Sequence, residues 1–161
     1  MALKYRRLSY RPWPVTVAFL DCDEATGQVA ETEQSFIGHF NACTEADLLA
    51  ARRTIFGNET DKKVKARLDD MSVADYAALE AGFFARLMCG WSALTDEAGV
   101  VILYTEAGLA EICTGPDGAA FRRGINRAIA EIRFGMAPAK NSSTSPAPGL
   151  ASASGEATSA S

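Results

Sequence analysis

The residues of this sequence whose types allow chemistry are its single histidine, its four cysteines and one short acidic run. His39 and Cys43 are separated by only three residues, and a histidine with a cysteine can supply the base and the nucleophile of a covalent mechanism. Such a mechanism also needs a group that orients the histidine, and no serine or carboxylate constellation accompanies His39. The pattern favours a half-buried strand residue at His39, and we expect that the protein is not an enzyme.

Metal chemistry has equally little support. The cysteines are widely spaced and form no CxxC pair, and one histidine cannot complete the usual zinc ligand sets. The acidic run contains Asp21, Asp23 and Glu24 but lacks the remaining ligand spacing of a calcium loop, so it favours a polar hairpin tip. We therefore predict no metal and no cofactor. The cysteines are Cys22, Cys43, Cys89 and Cys113.

Charge and hydropathy exclude further classes of protein. The net charge of −4 argues against a duplex-DNA binder, which normally presents a basic face. No stretch approaches the roughly 20 apolar residues that a membrane span requires. Charges begin at Lys4, so no apolar signal segment is predicted at the N-terminus. The expectation is a cytosolic protein that binds neither nucleic acid nor membrane.

The elements that would position any site follow from the spacing of apolar residues. In "WPVTVAFLD", Trp13, Val15, Val17 and Phe19 alternate, which predicts a half-buried strand. The turn formers of "DCDEATG" predict a reversal, and the following run carries Phe36 and Phe40 on one face. Residues from about 5 to 43 are therefore predicted to form a small antiparallel sheet or hairpin.

From about residue 44 to 135 the period becomes helical. Thr44, Ser72 and Thr105 are predicted N-caps, while Gly57 and Gly135 are predicted helix ends. One predicted helix extends from residue 73 to 91 with a broad apolar stripe, and another extends from residue 121 to 134. The prediction is an α+β domain over residues 1–136.

The segment after the last helix has a different composition. Residues 137–161 are almost entirely Ala, Ser, Thr, Pro and Gly, without aromatic residues. Such a segment cannot bury enough apolar surface to offset its ordering entropy, so the sequence predicts a disordered tail.

Two surfaces are candidates for partner binding. Phe84, Met88 and Trp91 fall on the broad apolar stripe, for which burial in the core is the default interpretation and a partner interface the alternative. The last helix is predicted to carry basic residues on its outer side together with Glu131. A solvated face is the default interpretation of that pattern, and contact with an acidic partner is the alternative. The basic candidates there are Arg122, Arg123 and Arg127.

The order of these features resembles the tail assembly chaperones of long-tailed (siphophage-type) bacteriophages. The resemblance covers about residues 5–141 and is carried by "GWSALTDEAGVVILYTEAGLAEICTGPDGAAFRRGINRAIAEIRFGMAPAKN". In that block a Gly-Trp pair, an acidic turn ending in glycine, an extended segment, a short helix and a final amphipathic helix follow one another. "SFIGHFNACTEADLLAAR" similarly resembles the family's earlier Phe-x-x-x-Phe and acidic helix start.

The resemblance implies function, partners and location. It implies a protein of viral tail assembly that binds the tape-measure protein and the major tail (tube) protein, with self-association also possible. It would act in the host cell cytoplasm and would not be expected in the mature virion. Other interpretations remain open at this stage: a structural tail or head-completion protein and, less favoured, a small cytosolic enzyme.

The family resemblance also has an implication for the residues that follow the last predicted helix. Such chaperones are usually made in a short form and in a longer form that arises by programmed ribosomal frameshifting. Ala139, Lys140 and Asn141 can be encoded by GCA AAA AAC, which contains a slippery heptamer. The resemblance thus implies a frameshift position there, and the alternative is a chance dipeptide in a linker.

Overall fold

The β1–β2 hairpin is the first element of the computed structural model, which describes residues 9–136. β1 (Tyr10–Cys22) and β2 (Val29–Asn41) are antiparallel and stay in register from the Tyr10–Asn41 pair to the Cys22–Val29 pair. At the tip, Asp23 Oδ1 accepts hydrogen bonds from the backbone N–H groups of Ala25 and Thr26. The acidic run is thus a polar hairpin tip.

Within residues 9–136, five helices and one further strand follow the hairpin. They are α1 (Glu45–Phe56), α2 (Lys62–Asp69), α3 (Val73–Leu87), β3 (Met88–Ser92), α4 (Glu106–Thr114) and α5 (Gly118–Phe134). β3 pairs antiparallel with β2, so the sheet order is β1-β2-β3. The architecture is α+β, which confirms the predicted fold class.

Short polar residues begin the helices where the sequence predicts them. The side chains of Thr44, Ser72 and Thr105 each accept a hydrogen bond from a backbone N–H of the following first turn. Asp47 completes a capping box with Thr44. The hydrogen bond from the Thr44 backbone has the larger effect and that from the Thr44 side chain the smaller one, and both lower the pKa of the Asp47 carboxyl. Gly135 ends α5 in the left-handed conformation, with φ of 63°.

The core lies between one face of the sheet and the helices. Strand residues that alternate toward this face are buried, whereas β1 beyond Phe19 is exposed. α5 approaches β1 so closely that a Cβ at Gly124 would lie 2.5 Å from the backbone oxygen of Thr16. The buried core comprises Val15, Val17, Phe36, Phe40, Phe56, Ala81, Phe83, Phe84, Leu87, Met88, Trp91, Leu109, Cys113, Ala120, Ile125 and Ala128.

One predicted element is wrong in its extent. The helix predicted to reach residue 91 ends at Leu87, and Met88–Ser92 is a strand, so the region from 44 to 135 is not helical throughout. The apolar stripe continues into β3 because Met88 and Trp91 still face the core, through pairing with Phe40 and Gly38 of β2. The change from helix to strand therefore preserves burial.

The predicted disordered tail at residues 137–161 lies outside the described residues, as do Ala139, Lys140 and Asn141.

Candidate functional site

The first group of predicted partner-binding residues lies in the core. Phe84 is fully buried, Met88 is 2% exposed and Trp91 is 9% exposed. Trp91 Nε1 donates to the carbonyl oxygen of Ile102 at 2.7 Å, and its ring meets that of Tyr104 edge-on at 4.8 Å. These contacts fix the chain after β3 against the sheet. In this fold the three side chains hold the domain together and are not accessible to a partner.

Tyr104 fixes the same region from the other side. Its hydroxyl donates to the carbonyl oxygen of Met88 at 3.1 Å. Burial raises the pKa of this phenol, and the nearby Glu106 carboxylate and the Cys89 thiol add smaller effects in the same direction. The hydroxyl therefore stays protonated at neutral pH and remains a hydrogen-bond donor.

The arginines of α5 do not share one surface. Arg122 is half-buried, and its Nε lies 2.8 Å from Glu80 Oε2, with a further hydrogen bond to the carbonyl oxygen of Cys113. The prediction that Arg122 lies on the outer side of the helix is wrong, because these contacts hold its side chain between α3 and α4. Arg123 is exposed, and Arg127 is also exposed while pairing with Glu131 at 3.3 Å.

Glu131 differs from its expected position in the same way as Arg122. The prediction that Glu131 lies on the outer side of α5 is wrong. The residue is 5% exposed, and its carboxylate accepts a hydrogen bond from Trp13 Nε1 at 2.9 Å. This contact joins the C-terminal half of α5 to β1. Arg123 and Arg127 are thus the two predicted arginines that remain on the solvent-facing side.

An exposed apolar segment adjoins this core, and we name residues 100–104 the apolar segment. Val100 and Val101 are each 61% exposed and Leu103 is 79% exposed. The residues between and after them, Ile102 and Tyr104, are partly buried against the core. The segment is extended, with inward residues that anchor it and outward residues that present aliphatic surface to solvent.

A turn holds the apolar segment in place. The backbone N–H of Val100 donates to Asp96 Oδ1 at 2.8 Å, and Thr95 and Val101 form an isolated antiparallel bridge. Gly99 has φ of 78°, a conformation that L-residues with a side chain rarely adopt. The sequence predicted both the turn and the extended segment, but only the structure shows which of its side chains are exposed.

The residues considered for catalysis lie near the N-terminal end of β1 and the C-terminal end of β2. His39 Nε2 is 3.4 Å from Ser92 Oγ, and the His39 ring lies 5.0 Å from that of Tyr10. Partial burial raises the pKa of the Cys43 thiol, and the Asp47 carboxylate raises it further. Both effects disfavour the thiolate, which is the nucleophilic form of cysteine. The geometry therefore gives Cys43 no activation.

Among residues 9–136, no three His, Cys, Asp or Glu side chains lie close enough to hold a metal ion together. None of the described helices combines the length and apolar character needed to cross a bilayer. The exposed surface of α5 and the apolar segment are two surfaces that a partner could contact.

Comparison with known proteins yields no match to a protein-family model, to a curated protein or to a solved structure.

Proposed function

We propose that this protein is a bacteriophage tail assembly chaperone that binds the tape-measure protein and the tail-tube subunits during tail morphogenesis. The proposal rests on the order of sequence features, which resembles that family over about residues 5–141. Under this proposal the protein is a binding protein and has no catalytic residue.

One structural observation carries the proposal further. Val100, Val101 and Leu103 are exposed within the very block that bears the resemblance. Isolated exposed apolar residues are ordinary, whereas three within four positions on an anchored extended segment form a small apolar surface. Such a surface suits a partner that exposes apolar helix faces before assembly is complete.

The size of this surface fits reversible binding. A tape-measure protein is long, so that many copies of a small chaperone can bind along it, and modest affinity for each copy still gives high occupancy. Each copy must leave when tube subunits polymerise, which a small contact area permits. The exposed side chains of Arg123 and Arg127 would supplement the apolar segment by contacting acidic positions on the partner.

The resemblance also supports a frameshifted longer form, with its slip at Ala139, Lys140 and Asn141. Synonymous recoding of these codons should remove a minor longer product on a blot and leave the short form unchanged. If the codons contain no slippery run, the longer form is excluded while the binding proposal stands on its own test.

The binding test uses the whole chain and the tape-measure protein encoded beside it. The double substitution Val101→Asp with Leu103→Asp should weaken co-purification by at least about ten-fold, because two desolvated aliphatic contacts are replaced by charges. Val73→Asp with Val29→Asp is the matched control, since these two side chains are 81% and 64% exposed and lie outside the apolar segment. Circular dichroism should show the parent's helix content in all variants.

Two results would contradict the proposal. Unchanged binding by the folded double variant would exclude the apolar segment as the interface. Detection of the protein in stoichiometric amounts by mass spectrometry of purified virions would favour a structural tail or head-completion subunit instead.

A further inference from the structure

The β1–β2 hairpin extends beyond the core, and we name residues 20–35 the arm. Every described position of β1 after Phe19 and every position of β2 before Phe36 is exposed. The ladder nevertheless continues to the Cys22–Val29 pair, and Thr32 Oγ1 donates to Asp21 Oδ2 at 3.1 Å across it. The arm is a regular two-stranded ribbon.

One edge of β2 is open along the arm. β1 covers the opposite edge over the full length of β2, whereas β3 pairs with β2 only from Ile37 to Phe40. The chain leaves this edge at Ala93, whose φ of 61° lies in the left-handed region. In the described part of the chain, then, no strand pairs with this edge at residues 30–35. Such an edge presents backbone N–H and C=O groups that a further strand can pair with.

A groove lies beside the open edge where the arm joins the core. Its volume is about 60 Å³, enough to receive part of one apolar side chain. The floor is apolar because Val17 and Phe36 are buried there, and Phe19 and Phe121 meet edge-on at 5.9 Å. The groove is lined by Phe19, Gln34 and Phe36 of the sheet, by Leu94 and by Phe121 of α5.

The charge of the arm indicates which side chains a partner strand would carry beside it. No lysine or arginine occurs between Pro12 and Ala51, and the arm carries Asp21, Asp23, Glu24, Glu31 and Glu33. Side chains alternate along a strand, so Glu31 and Glu33 lie on one face of β2 while Gln34 and Phe36 lie on the face that meets the groove. A strand added at this edge would place one set of its residues beside the carboxylates and the other set toward the groove.

We propose that residues 30–35 of β2 bind, by strand addition, an extended segment of a partner protein in which lysine or arginine alternates with apolar residues. The backbone of the edge supplies the hydrogen bonds, Glu31 and Glu33 select the basic side chains, and the groove selects an apolar one. This binding site is separate from the apolar segment and does not depend on a role in tail assembly.

The first experiment tests the alternation and the strand pairing. The full chain is titrated into a fluorescent seven-residue peptide of alternating Lys and Val, and into a peptide of the same composition with Lys and Val in separate blocks. We expect the block peptide to bind at least about ten-fold more weakly, because it cannot place charges and apolar groups on opposite faces. Two N-methylated peptides follow, one methylated at every Lys and one at every Val. Only one of them should lose binding, because alternate N–H groups face opposite edges of a strand.

The second experiment tests the carboxylates with a matched control. Glu31→Gln with Glu33→Gln should weaken binding of the alternating peptide by about five-fold, as cross-strand charge pairs are individually modest. Glu24→Gln with Glu97→Gln removes the same charge from exposed positions outside residues 30–35 and should leave the affinity unchanged.

Three outcomes would overturn the proposal. Equal binding of the alternating and block peptides, or equal effects of the two double substitutions, would show attraction to net charge alone. Binding of both N-methylated peptides would exclude strand addition. Concentration-dependent amide protection at residues 30–35 in the peptide-free chain would show that a second copy occupies the edge.

Discussion

The two ends of the β1–β2 hairpin share one uninterrupted ladder and yet have opposite environments. At the end that packs against α5, residues 13–19 and 36–40, which we name the supported end, Val15, Val17, Phe36 and Phe40 are at most 4% exposed. In the arm, Leu20 is 68% exposed and Val29 is 64% exposed. Backbone pairing is the same at both ends, so the difference lies in the side chains and in what covers them.

The contrast identifies the source of stability in each half. At the supported end, apolar area leaves water at roughly 25 cal/mol per Å², which outweighs the entropy of ordering the strands. A two-stranded ribbon without a covered face is marginal by itself. The arm is therefore ordered by its continuity with the supported end, and the supported end should not depend on the arm.

The largest expected effect compares one buried and one exposed substitution to the same residue. Phe84→Asp places an unpaired carboxylate in a fully buried position on α3 and should cost several kcal/mol, enough to unfold a domain of ordinary stability. Leu20→Asp, in the arm, should change the free energy of unfolding by no more than about 0.5 kcal/mol. Thermal unfolding followed by circular dichroism measures both. A cooperative transition in Phe84→Asp near the parent's temperature would contradict the assignment of α3 to the core.

A smaller effect is expected for the arginines that the sequence placed together and the structure separates. Arg122→Met leaves the Glu80 carboxylate, whose side chain is 16% exposed, with Asn126 at 3.0 Å as its remaining partner. The expected loss is about 2 kcal/mol, whereas Arg123→Met should be within about 0.5 kcal/mol of the parent. Urea unfolding measures both variants.

A double-mutant cycle sharpens this second test. Adding Glu80→Gln to Arg122→Met removes the charge that Arg122 leaves unpaired, so the double variant should be more stable than the sum of the single losses predicts. Strict additivity would mean that the Arg122–Glu80 contact contributes nothing specific.

Local signals account for what the sequence predicted well. Thr44, Ser72 and Thr105 are caps because a short side-chain oxygen can reach the N–H groups of its own first turn, and no distant residue is needed for that. The alternation from Trp13 to Phe19 likewise reports burial of one strand face. Features within one turn or one strand could therefore be predicted from the residues themselves.

The features that the sequence missed depend on distant partners. Met88 and Trp91 fit the helical period of α3, but β2 is available to pair with them about 50 residues earlier, and that pairing ends the helix at Leu87. Arg122 turns inward because Glu80 of α3 lies beside it, 42 positions away in the chain. The open edge of β2 depends on where β3 stops. Each of these requires the assembled fold.

The last prediction perturbs the fold least and compares an exposed thiol of the arm with a buried thiol of the core. Cys22 is exposed in the arm, whereas Cys113 is buried in α4, and burial raises the pKa of its thiol from 9.0 to about 12, with Arg122 opposing the shift and Glu80 adding to it. At pH 8, iodoacetamide should modify Cys22 readily and leave Cys113 unmodified until urea unfolds the chain, because the thiolate is the reactive form. Peptide mass spectrometry reports both sites. Since the folded-state pKa is the higher one, the contribution of Cys113 to stability is fully present below about pH 9 and is lost as the pH rises toward 12. Rapid modification of Cys113 in the native chain would mean that α4 opens locally and that the core around Cys113 is less stable than its burial implies.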